Sequence, residues 1–141
     1  MMPAPLRLAT LAIPGLLWLA SPALANDATG DWRTEKGRVR VADCGGGLCA
    51  TVTGINQPND PRTGKPQTDV NNPNEKLRSR PILGISVLNG MKPAGDRVWK
   101  GSIYNPEDGK TYAATMKLEG NRLMVSGCVA SVLCKTQTWT R

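Results

Sequence analysis

The chain has 141 residues, with 18 Lys and Arg against 11 Asp and Glu, a formal charge of +7 at pH 7, and neither His nor Phe. That length fits one domain, and the absence of His excludes His-ligated metal sites and His general-base catalysis. The basic residues are scattered rather than gathered in a stripe, which argues against nucleic acid as a partner and reads first as a solvated surface, with attraction to anionic envelope lipids or wall polymers as the functional alternative.

Residues 1–25 read as a signal peptide rather than as part of the fold. Arg7 is followed by an apolar run, and Ala23-Leu24-Ala25 has the small-residue pattern of a cleavage site. Pro14-Gly15 interrupts the run, which is too short to span a bilayer. No cysteine follows in a lipobox position. The expectation is cleavage after Ala25, no remaining membrane span, and a periplasmic or secreted monomer whose one domain covers residues 26–141.

From there the pattern is strand after strand. Asp31–Thr34 and Arg38–Ala42 flank a Lys36-Gly37 turn, and Leu48–Ile55 is a third strand. Ile82–Leu88 and Arg97–Tyr104 flank a loop containing Gly and Pro. Thr111–Leu118 and Arg122–Gly127 flank Gly120-Asn121, a dipeptide suited to the positive φ of a two-residue hairpin loop. Lys135–Arg141 closes the series. Tyr112, Ala114, Met116 and Leu118 alternate with Thr111, Ala113, Thr115 and Lys117, as in a strand with one buried face. Leu123 and Val125 alternate with Arg122, Met124 and Ser126 in the same way. The fold class is therefore all-β, a single small antiparallel sandwich or barrel of about eight strands.

Asn56 to Pro81 breaks the pattern. It carries five of the prolines and five Asn, and shows no strand alternation. A loop this long inside a compact domain is functional or disordered, and its prolines restrict the unfolded states and so favour order.

The cysteines are Cys44, Cys49, Cys128 and Cys134. An even number in an exported chain points to disulfides, with three possible connectivities. Gly45-Gly46-Gly47 lets the backbone turn back between the first pair, which favours Cys44–Cys49 and Cys128–Cys134. A structural zinc is the alternative, disfavoured by the wider second spacing and by export.

Gly30-Asp31-Trp32 at the first strand and Arg141 after Trp139 at the last resemble the calycin (lipocalin-like) signature. That resemblance implies a barrel whose ends are tied by the Arg packed across Trp32. The alternative is a core Trp and a solvated terminal Arg. The combination with Cys-x4-Cys, Asp69-x-x-Asn72-Pro73, Leu77–Gly84, Trp99–Pro106, Asp108–Tyr112 and the closing Cys134–Arg141 resembles a family of small exported bacterial proteins carrying a domain of unknown function. It implies a compartment and a fold class, with no activity attached.

Candidate chemistry is sparse. Arg78 and Arg80, two residues apart in an extended segment, point to one side and suit a phosphate or carboxylate. The structural alternative is ion pairing to Asp60, Asp69 or Glu75. Asp69 with Asn71, Asn72, Asn74 and Glu75 offers oxygen ligands for a hard cation, but Asx-turn chemistry explains the same residues better. Tyr104, Asp108, Lys110 and Tyr112 surround one hairpin and suit a sugar or wall fragment, against the plain reading of Tyr112 in the core and Asp108-Gly109 in a turn. Serines lack a base, and no nucleophile has suitable neighbours. Three classes remain: a binder of a small ligand or envelope component without a cofactor, a structural or interaction module, and an enzyme of unrecognised type.

Overall fold

The computed structural model describes residues 2–5, 9–16 and 28–141. About half of the expected leader, Arg7 and Ala23-Leu24-Ala25 included, falls outside the described residues. No helix among the described residues is long and apolar enough to cross a membrane.

Eight strands follow in order: β1 (Gly30–Thr34), β2 (Gly37–Asp43), β3 (Leu48–Ile55), β4 (Ser86–Gly95), β5 (Val98–Asn105), β6 (Lys110–Glu119), β7 (Arg122–Val129) and β8 (Leu133–Thr140). Each pairs antiparallel with the next, and β8 returns to β1 to close the barrel. Full closure removes the exposed edges that an open sheet would present. The alternation expected in β6 and β7 is present: Ala114, Met116, Leu118, Leu123 and Val125 are buried, while Lys117 and Arg122 are exposed.

Most strand ends lie within two residues of expectation, and the fourth strand departs by more. The fourth strand is Ser86–Gly95 rather than Ile82–Leu88, so the expected Gly/Pro loop is largely strand. Gly90 sits at φ 57° and Pro93 lies where the register shifts against β5. Bulges are where a strand tolerates such residues. Ile82 to Ile85 instead belong to the long loop. The turn joining β6 to β7 has positive φ only at Gly120, not at both central residues.

The β1–β8 seam is short, with one registered pair, Arg33 with Thr140. Side chains reinforce it. The Arg141 guanidinium lies 4.3 Å from the centre of the Trp32 ring, and its Nη1 donates to the Thr29 carbonyl. The fully buried Trp32 indole donates through Nε1 to the Ala28 carbonyl at 2.8 Å, so its only polar atom is satisfied.

Connections alternate between the two ends of the barrel. One end carries the β2–β3, β4–β5 and β6–β7 turns together with the Trp32–Arg141 closure. The other carries the β1–β2, β5–β6 and β7–β8 hairpins and the long β3–β4 loop. Disulfides Cys44–Cys49 and Cys128–Cys134 staple one hairpin at each end. Loops so short are worth about 2 kcal/mol per bond by chain entropy.

Candidate functional site

Inward-facing side chains differ in size along the barrel axis. Toward the closed end they are Trp32, Met91, Trp99, Met116, Leu118 and Leu123, all buried. Packing at Gly101 is tight, since a Cβ there would lie 2.6 Å from the Asn89 and Gly90 carbonyls and 2.7 Å from the Met91 sulfur, and a smaller recess of about 220 Å³ remains between Leu48, Met91, Trp99 and the Gly46-Gly47 turn. Toward the other end the inward positions hold Val39, Val52, Ile103, Tyr112, Gly127 and Gln137, and the interior is not filled. They line a cavity of about 1100 Å³ that opens between the loops. This volume takes in both the barrel interior and the funnel of its mouth, and it suffices for a drug-sized molecule. Trp139 forms part of the cavity lining, and its Nε1 donates to Gln137 Oε1.

The long loop supplies one wall. β3 runs on to Ile55, but β4 begins opposite Thr51, so the sheet lacks a strand beside the end of β3. The returning loop takes that place: the Val52 amide donates to the Ile85 carbonyl and the Gly84 amide to the Val52 carbonyl. Bridges Asn59–Pro66 and Thr68–Pro81 and a 3-10 turn at Glu75–Leu77 organise the rest.

Asp69 fastens this wall. It is fully buried and accepts from the Tyr104 hydroxyl at 2.5 Å, from Asn72 Nδ2 at 2.8 Å and from Arg80 Nε at 2.9 Å. Its backbone amide also donates to the Arg80 carbonyl. Burial pushes the carboxyl pKa up, but hydrogen bonds from Tyr104, Asn72 and Arg80, with the Arg80 charge, outweigh it and hold the pKa below the ordinary value. Burial, then the bond to Asp69, pushes the Tyr104 hydroxyl up to about 12, so it remains a donor. Arg78 donates to the Asn72 carbonyl and lies 3.8 Å from Glu75.

A second cluster sits on the β5–β6 turn. The Tyr112 hydroxyl and the Lys110 amide donate to the Asp108 carboxylate. The bond from Tyr112 lowers the Asp108 pKa and raises that of Tyr112. Asn71 Nδ2 donates to the Pro106 and Glu107 carbonyls, which docks the long loop on this turn. Gly109 permits the approach, because a Cβ there would run into the Asn71 carbonyl. Lys36 pairs with Glu107 across the mouth.

Asp69, Arg80 and Tyr104 thus come together, with Arg78 one hydrogen bond away at Asn72, while Lys110 and Tyr112 form a separate group. The Asp69 partner is Arg80 rather than Arg78, because Arg78 follows directly on the 3-10 turn and is held by Glu75 and the Asn72 carbonyl. Tyr112 is half-buried at the cavity wall rather than in the packed core, its hydroxyl held outward by Asp108. Of the candidates, Tyr104 and Tyr112 line the cavity, whereas Asp69, Arg78, Arg80 and Lys110 do not. Sequence reading missed the cavity wall itself. Its signal is the set of modest or polar residues, Val52, Gly127 and Gln137, at inward positions.

Residues 30–141 match the family described as "uncharacterized protein conserved in bacteria (DUF2147)". The chain belongs to this family. A solved structure, that of protein HP1028 from Helicobacter pylori, described as belonging to the lipocalin family, superposes with a TM-score of 0.66 at 30% identity, covering 80% of this chain and 81% of that one. No curated protein sequence matches the chain. The DUF2147 chain is thus an all-β, eight-stranded closed barrel with lipocalin-like architecture.

Proposed function

We propose that this DUF2147 chain is an exported binding protein of the bacterial envelope that takes one small, mainly apolar ligand into the open half of its barrel. The carrying observation is the unequal filling of the interior, with large side chains at one end and a cavity of about 1100 Å³ at the other. A structural or interaction module would have no use for such a volume, whereas a binder requires it. Val39, Val52 and Ile103 supply the apolar wall, and Gln137 supplies a polar group to orient one end of the ligand. The lipocalin-like fold favours the same reading by analogy. Export rests on the leader and is compatible with two disulfides in an oxidising compartment.

Native mass spectrometry of protein taken from its own envelope tests both parts. The expected spectrum shows a chain beginning at Asn26 with a bound small molecule. Ile103→Asp, which sets a charge into the apolar wall of the cavity, should remove that mass and abolish uptake of an apolar fluorescent probe. Retention of ligand by this variant, or no probe uptake by the native protein, would refute the cavity as the site.

A further inference from the structure

The cavity mouth is fringed by apolar side chains that the barrel does not need for its core. Val129 and Leu133 form the last registered pair of the β7–β8 hairpin, and Val132 stands at its tip. Their relative exposures are 57%, 70% and 83%, and Val70 on the long loop is 60% exposed. Folding does not bury them, and ligand binding inside the barrel would not cover Val132, which lies outside the cavity lining. A contiguous exposed apolar feature of this kind marks a contact surface. The hairpin is held rigid just behind its tip by Cys128–Cys134.

Charge around the same opening identifies what covers it. Arg38, Lys65 and Lys135 all line the mouth, and among the described residues none of them forms an ion pair. Of the carboxylates nearby, Glu107 pairs with Lys36 and Asp60 with Arg62, while Glu35 and Asp108, the latter held by the neutral Tyr112, keep their charge. The mouth thus sets three unpaired cations against two unpaired carboxylates beside an apolar tip, on a chain whose formal charge is +7. A second copy docked symmetrically would bring two faces of the same net sign together, which is unfavourable. An anionic bilayer satisfies both features at once, taking the apolar tip below its headgroups and the cations at their level.

We propose that the open end docks on anionic lipid, with the Val129–Leu133 hairpin as the inserting wedge and Arg38, Lys65 and Lys135 as its electrostatic collar. The cavity then faces the bilayer, and an apolar ligand passes between them without crossing water.

The test is sedimentation of the purified protein with extruded phosphatidylcholine vesicles, with and without phosphatidylglycerol. Binding is expected only where phosphatidylglycerol is present, and it should weaken as salt rises. Val132→Asp should reduce it about tenfold or more, since a charge replaces a buried apolar group, while Val132→Trp should strengthen it. Lys65→Ala and Lys135→Ala should each cost about fivefold. Val132→Asp should leave probe uptake unchanged, so that failure of docking and failure of the ligand reading are distinguishable. Val132→Ser serves if the Asp variant melts early. Equal binding to neutral vesicles, or vesicle binding unaffected by Val132→Asp, would overturn the proposal. So would a concentration-dependent dimer that Val132→Asp dissolves while vesicles bind nothing.

Discussion

The two ends of the barrel are built from the same kind of strand but to different purposes. At the closed end, large side chains meet across the axis, and the chain termini are tied by Trp32 under Arg141. At the open end, the inward residues leave space, and the wall is completed by a loop rather than by sheet. Stability is concentrated where the interior is full, because burial and dispersion scale with filled contact. The open end forgoes that contribution and is held by polar links instead: Asp69 to Tyr104 and Arg80, Asn71 to the β5–β6 turn, and Lys36 to Glu107. The open cavity is thus separated from the part of the interior that keeps the protein folded.

The sharpest way to break this comparison is to truncate one residue from each end. Trp32→Ala should destabilise by about 4 kcal/mol, from lost burial and the cavity left behind. Ile103→Ala should cost about 1 kcal/mol, since its side chain already borders open volume. Urea unfolding measures both, and similar values would mean that the open half is as tightly packed as the closed one.

Next in size is the latch of the long loop. Asp69→Ala leaves Arg80 and the Tyr104 hydroxyl without their acceptor, at a cost of about 3 kcal/mol. Arg80→Ala should be strongly non-additive with it, because both remove one pair. Arg78→Ala, linked to Asp69 only through Asn72, should couple more weakly. The Asp69 carboxyl is more acidic folded than unfolded, so its contribution is complete above about pH 4, the range of an unfolded carboxylate, and drains away as pH falls through the folded value. Asp69→Asn should flatten that acid limb of a melting-temperature profile. Tyr104 acts in the opposite sense: its raised pKa of about 12 means that its share is lost only in strong alkali. An unchanged acid limb in Asp69→Asn would show that the wall is not held by this carboxylate.

The smallest expected effect concerns the seam. Arg141→Ala removes a cation stacked on Trp32, worth roughly 0.5–2 kcal/mol. Arg122→Ala, at an exposed position after the Gly120-Asn121 turn, should change stability by no more than a few tenths of a kcal/mol. Equal effects of the two in thermal melts would mean that Arg141 adds nothing to closure.

Much of this molecule is legible one stretch at a time. The alternation of Ala114, Met116 and Leu118, the Gly120-Asn121 turn, and the triglycine between Cys44 and Cys49 each report local geometry. Period-two burial and turn stereochemistry act between near neighbours, so these residues determine strands, hairpins and the all-β class by themselves. The Gly30-x-Trp32 start and Arg141 end went further and marked a contact across the whole chain, because their pattern is a known one. Tertiary structure alone decided the rest. Whether the barrel is filled depends on side-chain volumes summed around eight strands, and no single strand shows that Val52, Ile103 and Gly127 line one cavity. The partner of Asp69 was likewise undecidable from spacing. Arg78 and Arg80 are equivalent in an extended segment, and only the 3-10 turn at Glu75–Leu77 makes them different. Ile82–Ile85 looks like a strand and serves as loop, because its backbone partners lie on β3, far away in sequence, and long-range pairing overrides local preference.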